Sequence, residues 1–221
     1  MFWFWLFVSV GGLTLIAYCI YYHRPQSGTQ NKIHILAVSQ LQVAMLVGSC
    51  PGVKSQLNEL TLNYDIKTAI NRALFLPECV LVVLRPCDKW SHVGGNYQIF
   101  TSREEAEQIF NQLSIQERRK LSLETLSLVN GDTRRRHSVS AGNRVSGEYI
   151  VVTFLIGKED VRPLFGDIRD SGKLKIALEK SAATPAENLL IFELIWSPQE
   201  ETHSLTGGEL LSSYPDLIQV G

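Results

Sequence analysis

The sequence has few cysteines, no surplus of charge, and no charged side chain in its first 22 residues. The four cysteines are Cys19, Cys50, Cys79 and Cys87, and Cys19 lies in the uncharged segment. The odd number that remains, without a repeated spacing, argues against a disulfide framework and fits a reducing compartment. Lys and Arg number 21 against 22 Asp and Glu, a net charge of −1. We therefore expect no nucleic-acid partner, because the chain has no basic surplus to bind phosphates.

The sequence also lacks the close Cys and His pairs that metal sites use. Cys79, Cys87 and His92 are separated by eight and five positions, whereas zinc ligands normally include a tight pair such as C-x₂-C. We expect neither a metal nor a cofactor. Cys79 is interpreted as a small buried hydrophobic residue and Cys87 as a loop thiol. The glycines of WSHVGGNY, residues 90–97, predict a hairpin turn, because a phosphate-binding loop would need a strand-to-helix setting.

No catalytic constellation is evident, and no catalytic residue is assigned. A Cys-His nucleophile would require Cys87 beside His92 or His203, and the neighbouring Asp88 does not by itself make a triad. The alternative hypothesis is an enzyme or small-molecule binder at the ends of the central strands, using Cys87, Asp88, His92 and Trp196. Convergence of these side chains on one pocket would support it.

The uncharged segment, residues 1–22, is predicted to be a transmembrane helix. Twenty-two helical residues span roughly 33 Å, close to the ~30 Å hydrocarbon core of a bilayer. A cleaved signal peptide is disfavoured because the segment lacks a basic start and small residues before a cleavage site. Residues at the membrane interface are predicted at both ends: Trp3, Trp5, Tyr18, Tyr21, Tyr22 and Arg24.

The charges after this segment predict its orientation. Arg24, Lys32 and Lys54 precede the first acidic residue, Glu59. Positive residues favour the cytoplasmic side, or the equivalent stromal side in a plastid, so the domain is expected there. Residues 23–32, with a proline and a glycine, predict a short linker.

Residues 33–221 predict one α+β domain, a mixed sheet of about four or five strands with packed helices. Residues 33–47 favour a buried strand, with a short helix as the alternative. The strongest strand signals, 148–157 and 188–196, are apolar on both faces and are expected to be central. A helix at 173–182 between them would make a right-handed crossover if the strands are parallel. The other predicted strands are 79–84 and 96–100.

Helices are predicted from caps and apolar spacing. Residues 53–64 form the first, and Asp65 is expected to cap a second, 66–75, whose buried face carries Ile66, Ile70 and Leu74. Capping boxes then predict three further helix starts, with the pairs Ser102 and Glu105, Ser114 and Glu117, and Thr206 and Glu209. Residues 117–120, ERRK, are expected to be a solvated helix face.

Residues 130–148 are polar and aperiodic, which predicts a loop or a disordered insertion. Within it, RRRHSVS is open to three interpretations: a phosphorylation site at Ser138 or Ser140, a patch that contacts anionic lipid, or a solvated loop. The lipid contact would be made by Arg134, Arg135 and Arg136.

Five sequence blocks stand out by their order and spacing: LQVAMLV (41–47), FNQLSIQERRKLSLETL (110–126), EYIVVTFL (148–155), FELIWSPQ (192–199) and ELLSSYPDL (209–217). They span about 180 of the 221 positions. Together they resemble a family of uncharacterised cyanobacterial and plastid membrane proteins, domain of unknown function 1517. The resemblance implies a membrane tether ahead of one soluble domain and a photosynthetic membrane, thylakoid or plasma membrane, as location. It implies no activity and no functional residues.

An anchored domain without a catalytic motif favours an interaction function. We expect a single-pass membrane protein whose partners are the lipid bilayer and another membrane or membrane-associated protein. Its expected role is the assembly, maintenance or regulation of a membrane complex.

Overall fold

The computed structural model describes residues 35–129, 149–159, 165–199 and 203–220, and of residues 122–129 it describes only the backbone. The predicted anchor (1–22), linker (23–32) and loop (130–148) lie outside the described residues. Within the described ranges, none of the helices combines the length and the apolar character that a bilayer crossing requires.

A single five-stranded sheet forms the centre of the domain, in the order β4-β3-β1-β2-β5. Each neighbouring pair is antiparallel. The α+β prediction is confirmed, whereas the prediction of a mixed sheet is wrong for the described residues. The strands are β1 (Leu36–Leu46), β2 (Trp90–Phe100), β3 (Tyr149–Glu159), β4 (Leu189–Ser197) and β5 (Ile218–Gln219).

Helices cover both faces of the sheet. One face packs against α1, α2 and α4 in the largest core cluster, and the other packs against α3 and α5 in two smaller clusters. Helices are needed on both sides because strands apolar on both faces must bury both. The helices are α1 (Val53–Asn63), α2 (Ala69–Leu84), α3 (Arg103–Val129), α4 (Ser171–Ala182) and α5 (Gly207–Ser213).

Six elements form where the sequence predicts them: β1, β3, β4, α1, α4 and α5. The capping box of α5 is complete, because the Glu209 N–H donates to Thr206 Oγ1 at 3.3 Å and the Thr206 N–H donates to Glu209 Oε2 at 2.8 Å. Backbone N–H groups at the start of this helix, which have no acceptor within the helix, are therefore hydrogen-bonded.

The predicted strand at residues 79–84 is wrong, because this run is the second half of α2. Its valines favour a strand by propensity, but they pack on the sheet from a helix, and burial outweighs the weak β preference. Cys79, Val80 and Val83 are at most 1% exposed. The helix also continues through Pro77, which the sequence alone would treat as a breaker.

The start and the buried face of α2 also differ from the prediction. Thr68 is the N-cap, and its side chain accepts from the Asn71 N–H at 3.1 Å. Asp65 instead accepts from the Lys67 N–H, in the preceding turn. The stripe of Ile66, Ile70 and Leu74 faces solvent rather than the core. The longer helix buries a different face, made of residues 75, 76, 79, 80, 82 and 83.

The glycines predicted as a hairpin turn lie inside β2 instead. A Cβ on Gly94 would lie 2.7 Å from Leu217 Cδ2, and one on Gly95 would lie 2.7 Å from Ile168 Cδ1. Glycine is required at both positions because side chains from other parts of the same chain pack directly against the backbone of this strand. The predicted strand at 96–100 is the end of this longer element.

One helix, α3, replaces the two predicted after residue 102. Ser102 caps it, accepting the Glu105 N–H at 3.3 Å, whereas Ser114 lies in its interior. The predicted solvated face at 117–120 is also wrong at one position, since Glu117 is only 3% exposed.

The predicted central position of 188–196 is wrong, because β4 lies at an edge of the described sheet and is antiparallel to β3. Phe165 packs on Tyr97 of β2, with ring centroids 5.5 Å apart, so the chain lies beside β2 shortly before α4 begins. Because β3 and β4 are antiparallel, they do not form the right-handed crossover expected of parallel strands.

Two leucines on α2 test this helix directly. Leu76→Ala should lower the free energy of unfolding by about 2–5 kcal/mol, because it removes a side chain that is 1% exposed. Leu74→Ala, two positions away and 58% exposed, should change it by less than about 0.5 kcal/mol. Denaturant titration of both variants measures the difference. Similar losses would contradict the assigned helix face.

Candidate functional site

The side chains of the small-molecule hypothesis do not converge on one pocket. Trp196 pairs across the strands with Val152 and lies in the core on the α2 side. His92 lies on the opposite face of the sheet, where its ring meets Tyr149 edge-on at 5.9 Å. Asp88 is exposed and pairs with Lys89 at 2.8 Å. The small-molecule hypothesis therefore lacks the convergent side chains that would have supported it.

The described thiols lie in or beside the core. Cys79 is fully buried, and this burial raises the pKa of its thiol far above the usual range. Burial likewise raises the pKa of Cys50, with the nearby Asp88 carboxylate adding to the effect. Cys87 is half-buried. His203 does not join Cys87 in a described contact; its backbone oxygen accepts from the Lys54 ammonium group.

The surroundings of His92 are not those of a catalytic general base. Its Nδ1 lies 3.2 Å from Ser91 Oγ, and burial lowers the pKa of the imidazole. Among the described residues, no three His, Cys, Asp or Glu side chains are close enough together to hold a metal ion.

The buried carboxylate of Glu117, on the sheet-facing side of α3, is a feature that the sequence analysis does not predict. Glu117 Oε1 accepts from Gln40 Nε2 at 2.9 Å and from Lys120 Nζ at 2.7 Å. Glu117 Oε2 accepts from Thr153 Oγ1 at 3.3 Å, and that hydroxyl accepts from Gln42 Nε2 at 3.0 Å. A signal was present in the sequence: Gln40 and Gln42 occupy alternate positions of a strand whose only other polar residue is Ser39.

Glu117 and the side chains around it, here called the Glu117 cluster, have a structural role. The cluster consists of Gln40, Gln42, Glu117, Lys120 and Thr153. It joins α3 to β1 and β3, and Lys120 extends it to the residue after α5 because its ammonium group lies 3.9 Å from the centre of the Tyr214 ring. Both oxygens of the carboxylate are occupied by donors, and the side chain is enclosed. A catalytic carboxylate would need access to a substrate, so the arrangement fixes the position of α3 on the sheet.

A cleft of about 270 Å³ lies between the first half of α3 and the edge formed by β3 and β4. Its walls are mostly apolar, with Leu36, Phe110 and Ile191 among them, and Arg103 and Glu107 pair at its rim at 2.8 Å. The volume is below the ~300–1,000 Å³ of typical ligand pockets. It can take a small apolar group, and the charged side chains that line it are Arg103, Glu107 and Lys158.

The exposed side of α2 is the candidate interaction surface, here named the α2 outer face. Leu74 is 58% exposed and Ile70 is more exposed still. Soluble domains seldom leave such contiguous aliphatic patches uncovered. The α2 outer face consists of Ile66, Ile70, Leu74, Glu78 and Leu81.

The predicted membrane-interface side chains and the predicted lipid or phosphorylation segment lie outside the described residues. They are Trp3, Trp5, Tyr18, Tyr21, Tyr22, Arg24, Arg134, Arg135, Arg136, Ser138 and Ser140. They stay predictions.

Comparison with known proteins gives one family and two relatives. Residues 35–220 match the family described as "Protein of unknown function (DUF1517)". The chain is 34% identical over 190 residues to "Protein FLAP1 homolog A" of Synechocystis sp., covering 82% of this chain and 56% of the relative. It is 35% identical over 179 residues to "FLUCTUATING-LIGHT-ACCLIMATION protein 1, chloroplastic" of Arabidopsis thaliana, covering 81% of this chain and 45% of the relative.

The chain thus spans about half the length of the curated relatives that it matches. No solved structure is similar enough to count as a match. The resemblance to a cyanobacterial and plastid family is confirmed by these relatives.

The thiols should differ in reactivity. A short iodoacetamide pulse on the folded full chain is expected to label Cys87 and to spare Cys79, because burial keeps Cys79 protonated and inaccessible. Peptide mass mapping quantifies each site. Labelling after denaturation serves as the control, since both should then react; equal labelling in the folded chain would contradict the burial of Cys79.

Removal of the buried carboxylate should be costly. Glu117→Ala is expected to lower the free energy of unfolding by roughly 3–5 kcal/mol, because it leaves the Lys120 ammonium group and the Gln40 amide without their acceptor. Gln116→Ala, at an exposed neighbouring position, is the matched control and should have little effect. Denaturant titration checks both. A loss at Glu117 no larger than at Gln116 would show that the cluster does not stabilise the fold.

Proposed function

The chain belongs to the DUF1517 family, and from that premise we propose that it is a membrane-anchored interaction protein for light acclimation. In this proposal, residues 1–22 span a photosynthetic membrane, and the α+β domain lies on its cytoplasmic or stromal side. The domain binds another membrane or membrane-associated protein and so supports or regulates a membrane complex.

The relatives support the physiological part of the proposal. The Arabidopsis relative carries fluctuating-light acclimation in its name, and the Synechocystis relative is named as a homologue of FLAP1. Both match more than four fifths of this chain, and the family match includes nearly the whole described domain. A shared contribution to acclimation is the simplest role for the shared part.

The uncharged amino-terminal segment supports the membrane part. Twenty-two residues without a fixed charge are long enough to cross the hydrocarbon core, and aromatic side chains stand at both ends. The lysine and arginine residues that follow favour the cytoplasmic or stromal side for the domain.

The α2 outer face is the single observation that carries the binding role. A helix that is apolar on two sides is normally covered on both, and in the described residues only the sheet-facing side of α2 is covered. An interaction surface explains this exposure, whereas the exposed aliphatic side chains of the α2 outer face supply no group for acid–base or nucleophilic catalysis.

Complementation tests the proposed function. In Synechocystis cells that lack their FLAP1 homolog A, the full chain is expected to restore the chlorophyll-fluorescence response to fluctuating light. The same chain without residues 1–22 should fail to restore it and should no longer sediment with membranes. Steady light of equal mean intensity is the control.

Two results would contradict the proposal. One is equal restoration by the shortened chain, which would remove the need for an anchor. The other is a response that is the same in steady and in fluctuating light, which would separate the chain from acclimation.

A further inference from the structure

The α2 outer face has an aliphatic line that runs along most of the helix. Ile70, Leu74 and Leu81 recur at spacings of four and seven, which places them on one side, and they are 67%, 58% and 47% exposed. Ile66 extends the line into the turn before α2. Because the opposite side of α2 is already buried against the sheet, core packing of the domain does not account for this second apolar stripe.

A carboxylate within this line decides between the possible occupants. Glu78 lies four residues after Leu74 and three before Leu81, so it neighbours both on the helix surface. Its side chain is exposed, and among the described residues neither a hydrogen bond nor an ion pair reaches it.

Covering Glu78 removes water from its charge, so the occupant must replace that water with a donor. The acyl region of a bilayer offers no cation, and a charged side chain there is costly. A protein surface can place a lysine or arginine opposite the carboxylate while its aliphatic side chains cover the leucines. The chemistry therefore favours a protein over lipid.

A second copy of the chain fits less well. The arginines of this region are engaged inside their own domain: Arg85 donates to Gln56 Oε1 at 2.8 Å, and Arg72 donates to the backbone oxygens of Ile66 and Lys67. A two-fold pairing of α2 helices would have to break these contacts, or draw Lys67 away from its pair with Asp65 at 3.7 Å, to neutralise Glu78. A different protein with an uncommitted cation is the better match.

We propose that the α2 outer face binds a different protein, through a contact surface that is aliphatic and places a lysine or arginine opposite Glu78. The identification of this protein as a membrane or membrane-associated partner rests on the proposed function. The contact surface itself is argued from the residues of α2.

Site-specific photocrosslinking of the full chain in native membranes tests the surface. The photoreactive residue p-benzoylphenylalanine replaces Ile70, Leu74 or Leu81 in turn, and adducts are identified by mass spectrometry. Leu211 is the matched control, because it is 60% exposed and lies on α5, on the other side of the sheet. All three α2 positions are expected to yield adducts with one and the same partner, a protein other than this chain.

Three outcomes would overturn the proposal. Adducts with lipid alone would assign the surface to the bilayer, and adducts with this chain alone would assign it to a second copy, if they run as dimers, or to a contact within the same molecule, if they run as monomers. A yield at the α2 positions no higher than at Leu211 would show that the surface is uncovered.

Charge variants test the chemistry of the partner. In the background that carries the photoreactive residue at position 74, Glu78→Lys should lower the adduct yield at least about tenfold, because it sets like charges against each other in a covered contact. Glu59→Lys, an exposed site on α1, is the control and should leave the yield unchanged. Equal yields from the two variants would overturn the requirement for a basic partner.

The same samples separate this inference from the proposed function. The fraction of the chain that sediments with membranes is recorded before irradiation. A chain in the supernatant would contradict the membrane role, whereas the adduct pattern alone decides the contact surface. Thermal unfolding of each variant confirms that the domain remains folded.

Discussion

The structure depends on the burial of the central strands on both faces. β1 lies between β2 and β3 and exchanges backbone hydrogen bonds with both, and its side chains point into two separate cores. A sheet of this kind is stable only when helices exclude water from each side. Each helix from α1 to α5 therefore has a sheet-facing side fixed by this requirement, and what remains exposed on its other side is free to serve function.

Much of this architecture is predictable from local sequence. The alternation and apolar length of β1, the capping box at Thr206, and the periodicity of α1 and α4 each reflect interactions among residues close in the chain. The failures arise where distant residues decide. Val80 and Val83 favour a strand until the sheet beneath them is known, and Gly94 resembles a turn until Leu217 is placed against it. Glu117 belongs to a charged run by sequence, yet Gln40 and Thr153 supply its partners.

The candidate site could be predicted less well than the fold, for a related reason. Ile70 and Leu74 form a periodic apolar stripe, and such stripes normally face the core. The same helix contains a second stripe farther along, around Leu76 and Val80, and only the assembled sheet determines which stripe is buried. A candidate interaction surface on a doubly apolar helix thus becomes visible only after the core is complete. The alternative cluster around His92 and Trp196 fails because the two side chains lie on opposite faces of the sheet.

Our central proposal is that the α2 outer face contacts another membrane or membrane-associated protein. Hydroxyl-radical footprinting of the full chain, in native membranes and after purification in mild detergent, tests it most directly. The account predicts that Ile70 and Leu74 are protected in membranes and become reactive on purification, while Leu211 is oxidised equally in both. Equal oxidation of Ile70 and Leu74 in the two preparations would contradict it.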